Sequence, residues 1–298
     1  MDMDNMPRVA AVILTRDQKD LTLNCLRSLS ACSYPELRII VVDNHSSDRT
    51  AEAIRSEFPD VLLVEHTTNA GVAGGRNLGL QAAEKQLDYS YLLILDNDTT
   101  VDKDFLQPMV NVMESDPDIG VVAPKIYLQG EENILDQAGG SIVNLYTGST
   151  AKRGFGEPDH GQYDHRQRQD CLPSGACSLS RRSVIVECGG LDEVFNPYGF
   201  EDLDYSLRVK KAGYKLAYVP ESVIYHLGNK TGFQGYSQSY AALKGRHLKL
   251  FMKRHASPFQ RACFHLLLPL LGMRTLAREI RRGNVKAVLR LVQAYLRG

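Results

Sequence analysis

Two aspartates, Asp96 and Asp98, stand directly behind the apolar run YLLIL of residues 91–95. Such a run has the length and character of a buried strand, and carboxylates are costly to bury, so the pair belongs where the strand emerges. Oxygens at this spacing can hold a hard divalent cation and let it bridge to phosphate oxygens. Asp-x-Asp is common in surface loops; its place behind an apolar strand is what gives it weight here. A second acidic pair, Glu201 and Asp202, precedes a segment of helical spacing. Negative charge is favourable at a helix N-terminus, which is the structural reading of the pair. The chemical reading makes one of these carboxylates a general base at the mouth of a crevice. His226 closes a short extended run. A lone histidine is more often structural than a ligand, but a neutral imidazole beside Asp98 would suit Mn²⁺ well and Mg²⁺ less so.

The segment NAGVAGGRN (69–77) opens a helix after a third strand. Glycines such as Gly74 would let backbone approach a ligand, the helix start favours an anion, and Arg76 could grip a diphosphate through two hydrogen bonds. A tight turn with close helix packing is the simpler explanation for the glycines. The segment is not the G-x-G-x-x-G fingerprint and follows the wrong strand for a dinucleotide fold.

Positioning these groups falls to an alternation of strands and helices. Residues 9–14, 37–42, 61–65 and 91–95 read as strands, and residues 21–31, 48–58 and 73–87 as helices. Ser46, Ser47 and Asp48 are candidate caps for the second helix. Strand and helix repeating in this way predict a parallel, doubly wound α/β sheet. Thr15 and Arg16, Asp43, Asn69 and Asp96 then follow successive strands on one edge of the sheet, where such folds bind ligands. Further on, the spacing predicts helices over 105–115, 181–188 and 203–212 and strands over 120–126, 176–179, 214–219 and 223–226. Residues 130–169 read as loops and a hairpin. From residue 236 the pattern is helical, punctuated at Pro258, Pro269 and Gly283.

Composition sets the outer bounds. The 298 residues carry no net formal charge, which offers no electrostatic footprint for nucleic acid. That balance hides an asymmetry, because residues 243–298 hold 13 Lys and Arg against a single acid, Glu279. The six cysteines include no CxxC pair and read as reduced thiols of a cytosolic protein. The first residues, MDMDNMPR, lack the apolar core of a secretory signal, and no apolar stretch has the roughly 18 residues that a membrane span needs.

Taken together, ILTR (13–16), VVDNHSSD (41–48), NAGVAGGRN (69–77), LDND (95–98), SGACSLSR (174–181), GGLDEVF (189–195), GFEDLD (199–204) and YH (225–226) resemble, in order, the motifs of family 2 glycosyltransferases of the GT-A fold. The pattern is similar to rhamnosyltransferase-like members that build bacterial polysaccharides. The resemblance implies a GT-A domain over 1–235, a mainly parallel sheet flanked by helices, with a basic helical region over 236–298. It also implies roles. Thr15, Arg16, Asp43, Asn69, Gly74, Arg76 and Asp96 would serve the nucleotide, with Asp43 reading the base edge. Asp98, with Asp96 and His226, would hold Mg²⁺ or Mn²⁺. Asp202 beside Glu201 would be the base, and Ser174, Gly175 and Ala176 would line the donor and acceptor pocket. Where many relatives carry Tyr-Asn, this chain has Thr15-Arg16, which leaves the base contact of Thr15 open.

The implied reaction is inverting transfer from a UDP- or dTDP-sugar to a glycan or lipid-linked acceptor. Silent binding modules lose the metal motif or the base, and Asp96, Asp98 and Asp202 are all present. Nucleotidyltransferases carry a glycine-rich loop after the first strand, where this chain has TRDQ (15–18). In the tail, apolar residues 276, 280, 288, 289, 292 and 296 recur at helical spacing among arginines. Such a helix can lie on an anionic membrane, which points to a cytoplasmic protein attached peripherally at the inner face of the plasma membrane. Packing on the catalytic domain or in a homodimer is the alternative.

Overall fold

The computed structural model describes residues 6–164, 171–228, 238–281, 283 and 285–297. Apolar runs made the strands they predict: β1 (Val9–Thr15), β2 (Leu37–Asp43), β3 (Leu62–Glu65) and β4 (Tyr91–Asp96). They lie parallel in the order β3-β2-β1-β4. Between them run α1 (Lys19–Ser30), α2 (Thr50–Glu57) and α3 (Gly71–Gln86). The second helix starts later than its polar residues suggest. Arg49, with φ of 66°, precedes it, and the Asp48 carboxylate accepts the Thr50 N–H at 3.1 Å from one residue further back.

The glycines of α3 are explained by contact with the sheet. A Cβ at Gly79 would stand 2.3 Å from Val12 Cγ1, and one at Gly75 would stand 2.4 Å from Leu14 Cδ1. Only glycine lets this helix lie so near β1.

After β4 come β5 (Thr99–Val101), α4 (Leu106–Ser115), β6 (Ile119–Leu128), β7 (Leu135–Ala138), β8 (Ser141–Asn144) and β9 (Ser149–Lys152). β10 (Cys177–Arg181), α5 (Arg182–Cys188), a 3-10 turn (Glu193–Phe195), α6 (Glu201–Lys211) and β11 (Lys215–His226) follow. β8 and β9 form a two-stranded sheet, the hairpin expected within residues 130–169. The main sheet continues β4-β10-β6-β11-β5, with β7 beside β6. It is mainly parallel, as expected, but β10 runs antiparallel between β4 and β6. Residues 214–219 and 223–226, read as two strands, are one strand with a register shift between Val219 and Val223.

Two antiparallel pairings, β10 with β4 and β11 with β5, build the site. Because β10 is antiparallel, its beginning meets the end of β4: Cys177 pairs with Leu95, and Asp96 N–H donates to Ala176 O at 3.0 Å. Because β11 is antiparallel to β5, His226 pairs with Thr99, and Leu227 N–H donates to Asp98 O at 2.9 Å. Under the sheet, Ile13, Val41, Leu93, Leu95, Leu106 and Met109 form a continuous apolar core. Each such side chain contributes about 1.5–3 kcal/mol on burial.

By contact the chain divides into two compact units. The described residues up to Ile142, together with those of 152–197 and 201–228, form the first. The second holds residues 143–151 and 198–200 and the described residues beyond 229. The expected boundary between residues 235 and 236 lies outside the described residues. In the second unit, α7 (Gln238–His255), α8 (Pro258–Arg281) and α9 (Val285–Arg297) enclose Met252, Ala256, Phe264 and Tyr295. Pro269 does not interrupt α8, contrary to expectation. It sits on the exposed face, as does His265 one turn earlier, so water can satisfy the carbonyl that the proline leaves without a donor.

Candidate active site

Asp96 ends β4, Asp98 lies in the turn to β5, and His226 ends β11, so two distant pieces of chain deliver three ligand-type groups. One donor atom from each lies within 4.8 Å of the others. His226 Nε2 is 3.2 Å from Asp98 Oδ1 and 3.9 Å from Asp96 Oδ2. Its Nδ1 is 3.0 Å from Asp136 Oδ2. Burial opposes the charged imidazole, but hydrogen bonds to Asp136 and Asp98 and the charges of Asp98 and Asp96 outweigh it, pushing the ring's pKa up to about 10. In the absence of a cation the ring is thus a charge partner for the carboxylates. Two carboxylate oxygens and an imidazole nitrogen are also a donor set that fits Mn²⁺, and Mg²⁺ less closely.

Arg76 approaches from α3. It is 6% exposed, and its guanidinium donates to Asp96 Oδ1 and, at 2.9 Å, to Gly175 O, with Glu201 Oε1 3.9 Å away. Burial works against its charge, but Asp96, Glu201 and Asp202 hold its pKa above the ordinary value. Arg76, expected to face the nucleotide or diphosphate, is held by Asp96 and the Gly175 carbonyl at the end of β4. Asp96 itself is driven upward in pKa by burial, which the charges of Arg76 and His226 offset only in part.

Gly175 ties this group to the second acidic pair. Its carbonyl accepts from Arg76, and its N–H donates to Asp202 Oδ2 at 3.1 Å. A Cβ at residue 175 would stand 2.3 Å from an Arg76 nitrogen, so no other residue fits without moving the guanidinium. Asp202 Oδ1 accepts from Leu203 N at 2.8 Å. Rather than preceding α6, Glu201 and Asp202 are its first two residues, where the helix dipole favours their charge. Ser174 is buried, its hydroxyl 2.6 Å from the Gln137 side-chain nitrogen, and Ala176 carries the carbonyl that receives Asp96 N–H.

The remaining expected residues share the sheet edge but not this cluster. Thr15 pairs with Asp43, and Leu14 with Asp96, so the ends of β1, β2 and β4 are level. Asp43 is buried and accepts Ser46 N–H at 2.7 Å. The Thr15 hydroxyl is 2.7 Å from Thr22 Oγ1 and 3.4 Å from Asn97 Nδ2. Arg16 is exposed, 3.6 Å from Asp17. Asn69 Oδ1 accepts from Gly71 N and from Asn44 Nδ2 at 2.9 and 3.0 Å, which fixes the turn into α3. Gly74 faces Ala70, Glu193 and Asn196, so packing accounts for it.

Sequence reading missed Asp136 and Lys152. The Lys152 Nζ lies 2.7 and 2.8 Å from the two Asp136 oxygens. Despite burial, hydrogen bonds from His226 and Lys152 and their charges keep the Asp136 pKa below the usual carboxylate value. A short LDQA strand inside a Gly- and Asp-rich stretch gives no local signal of this role.

Residues 7–247 match the family model described as "Glycosyltransferase like family 2", and the chain belongs to that family. A poly-beta-1,6-N-acetyl-D-glucosamine synthase of Staphylococcus aureus (strain MSSA476) is 25% identical over 237 residues, 78% of this chain and 52% of the relative. The synthase of Staphylococcus epidermidis is 25% identical over 230 residues, 75% and 50% of the two chains. The chain thus spans about half the length of the curated relatives it matches. Among solved structures, the mannosyltransferase PcManGT of Pyrobaculum calidifontis, in complex with GDP-Man and Mn²⁺, superposes with a TM-score of 0.58 at 19% identity. That match covers 100% of this chain and 77% of the other. GalNAc-T7 with UDP, GalNAc and Mn²⁺ gives a TM-score of 0.61 at 18% identity over 80% of this chain and 48% of the other. Both have the fold seen here.

Proposed function

We propose that this chain is an inverting, divalent-cation-dependent glycosyltransferase. It moves a sugar from a UDP- or dTDP-linked donor to a glycan or lipid-linked acceptor in cell-surface polysaccharide synthesis. The observation that carries this reading is an excess of negative charge at one point. Asp96, Asp98, Asp136, Glu201 and Asp202 are linked by contacts that include the permanent cations Arg76 and Lys152, five carboxylates around two such cations among the contacts of the described residues. Like charges this close disfavour one another's ionised forms, and a cation relieves the conflict.

Asp98 and His226, with Asp96, would hold Mn²⁺ or Mg²⁺, which when bound neutralises the charge that grows on the departing diphosphate. Arg76 keeps Asp96 in place and adds positive charge to the same region. Asp202 takes the proton of the acceptor hydroxyl while its hydrogen bond to Gly175 fixes the direction of the carboxylate. As the acceptor oxygen bonds to the anomeric carbon, the bond from that carbon to the diphosphate oxygen breaks. Attack from the side opposite the leaving group inverts the centre. Asp43, Thr15, Arg16 and Asn69 edge the nucleotide side, and residues 174–176 the sugar side.

Donor screening tests this reading. In thermal-shift and hydrolysis assays with UDP-, dTDP- and GDP-sugars, a UDP- or dTDP-sugar should stabilise and react only with Mn²⁺ or Mg²⁺. UDP-N-acetylglucosamine and dTDP-rhamnose head the panel, the first because the named relatives make an N-acetylglucosamine polymer and the second from the motif resemblance. A full response in chelator would contradict cation dependence, and a response confined to GDP-sugars would contradict the base assignment.

The second unit carries the membrane part of the proposal. No helix among the described residues is long and apolar enough to cross a bilayer. Yet Leu266 and Leu296 are 82% and 69% exposed on helices with Arg261, Arg274, Arg281 and Arg290. An apolar surface set among arginines suits peripheral attachment at the cytoplasmic, anionic face of the plasma membrane. The protein should co-sediment with vesicles containing phosphatidylglycerol and release at high salt. Equal binding to pure phosphatidylcholine vesicles, or none to either, would refute this.

A further inference from the structure

Asp136 lies on β7 and is 0% exposed, a costly position for a carboxylate without partners. It has two. Lys152, at the end of β9 and 37% exposed in its side chain, reaches both oxygens, at 2.7 and 2.8 Å. The other partner is His226 Nδ1, 3.0 Å from Oδ2. An ionised carboxylate only accepts hydrogen bonds, so Nδ1 must carry the hydrogen. In the neutral ring the lone pair is then on Nε2, the atom that faces Asp98 and Asp96. Histidines that bind metals are commonly oriented by such a carboxylate, which fixes the ring and raises its basicity.

We propose that Asp136, clamped by Lys152, is a positioning residue that fixes the tautomer and orientation of His226 so that Nε2 serves as a cation ligand. The inference rests on the cation site of the proposed function. The competing explanation is a buried ion pair that merely fastens Lys152 to β7. The two differ in what they do to cation affinity: a fastener affects stability, whereas a positioning residue affects binding in a folded protein.

The experiment is a Mn²⁺ titration of the full chain by electron paramagnetic resonance, with circular dichroism as the check on folding. Wild type, Asp98→Ala, Asp136→Asn and Lys152→Met are compared. Asp98→Ala should lose binding. Asp136→Asn should raise the Kd for Mn²⁺ by about 10–100-fold, and Lys152→Met should raise it less. Spin-echo modulation from an imidazole nitrogen coupled to Mn²⁺ should be present in wild type and weakened in Asp136→Asn, a signature that a fastener would not alter. An unchanged Kd and nitrogen coupling in Asp136→Asn, with binding lost in Asp98→Ala, overturns the positioning role and leaves the cation site intact. Wild-type binding by Asp98→Ala overturns the cation site, and the positioning role with it. Should Asp136→Asn fail to fold, Lys152→Met decides, and an unchanged Kd there overturns the proposal.

Discussion

Replacing Asp98 with alanine is expected to abolish sugar transfer and cation-dependent donor binding while the fold survives. Asp98 is partly exposed at the end of a turn, and its backbone carbonyl, not its side chain, ties the turn to Leu227. Removing the carboxylate therefore leaves this backbone hydrogen bond in place. It takes from the cluster the oxygen that lies 3.2 Å from His226 Nε2. Stabilising charge on a departing diphosphate is worth several kcal/mol, and each 1.36 kcal/mol is tenfold in rate. Turnover should fall on the order of 10³-fold or more. Donor affinity measured calorimetrically with Mn²⁺ should fall to that of wild type in chelator. Retention of Mn²⁺-dependent affinity would show that Asp98 is not a ligand.

The second large effect separates binding from chemistry. In Asp202→Asn the side chain keeps its shape and one oxygen, which can still receive the Gly175 N–H and so support the loop that holds Arg76, at the cost of the bond from Leu203 N. What it loses is the ability to take a proton from an acceptor hydroxyl. General-base catalysis contributes about 10²–10⁴-fold, so kcat should drop by that factor while donor Kd stays within about twofold. Rapid-mix kinetics with saturating donor and acceptor would show the split. Normal turnover would pass the role to another group, and Glu201, 3.9 Å from Arg76, would be next to test.

Much of the architecture could be read from apolar runs. The strand of residues 91–95 and the acids behind it lie where burial costs require, and β1, β2 and β4 end level with one another. The side of the sheet on which polar groups gather follows from parallel pairing alone. Less legible was the antiparallel insertion of β10, because a five-residue strand, CSLSR, does not encode its direction. That insertion is what brings Gly175 between Arg76 and Asp202. Arg76 illustrates a related limit: its residue type and helix position announce an anion partner, but whether the anion is a ligand or Asp96 depends on side-chain depth. Asp136 had no signal at all, since its partners come from β9 and β11, far apart in sequence. Pro269 was read as a break because an interior proline removes a hydrogen bond, a cost that an exposed helix face reduces.

The most direct measurement is a crystal structure of the full chain grown with Mn²⁺ and UDP, with data collected at the manganese absorption edge. A single anomalous peak should lie between the Asp98 carboxylate and His226 Nε2, in contact with diphosphate oxygens, with Asp202 facing the vacant sugar position beyond them. A peak elsewhere, or a diphosphate seated away from Asp98 and Asp202, would contradict the assignment of this cluster as the donor site.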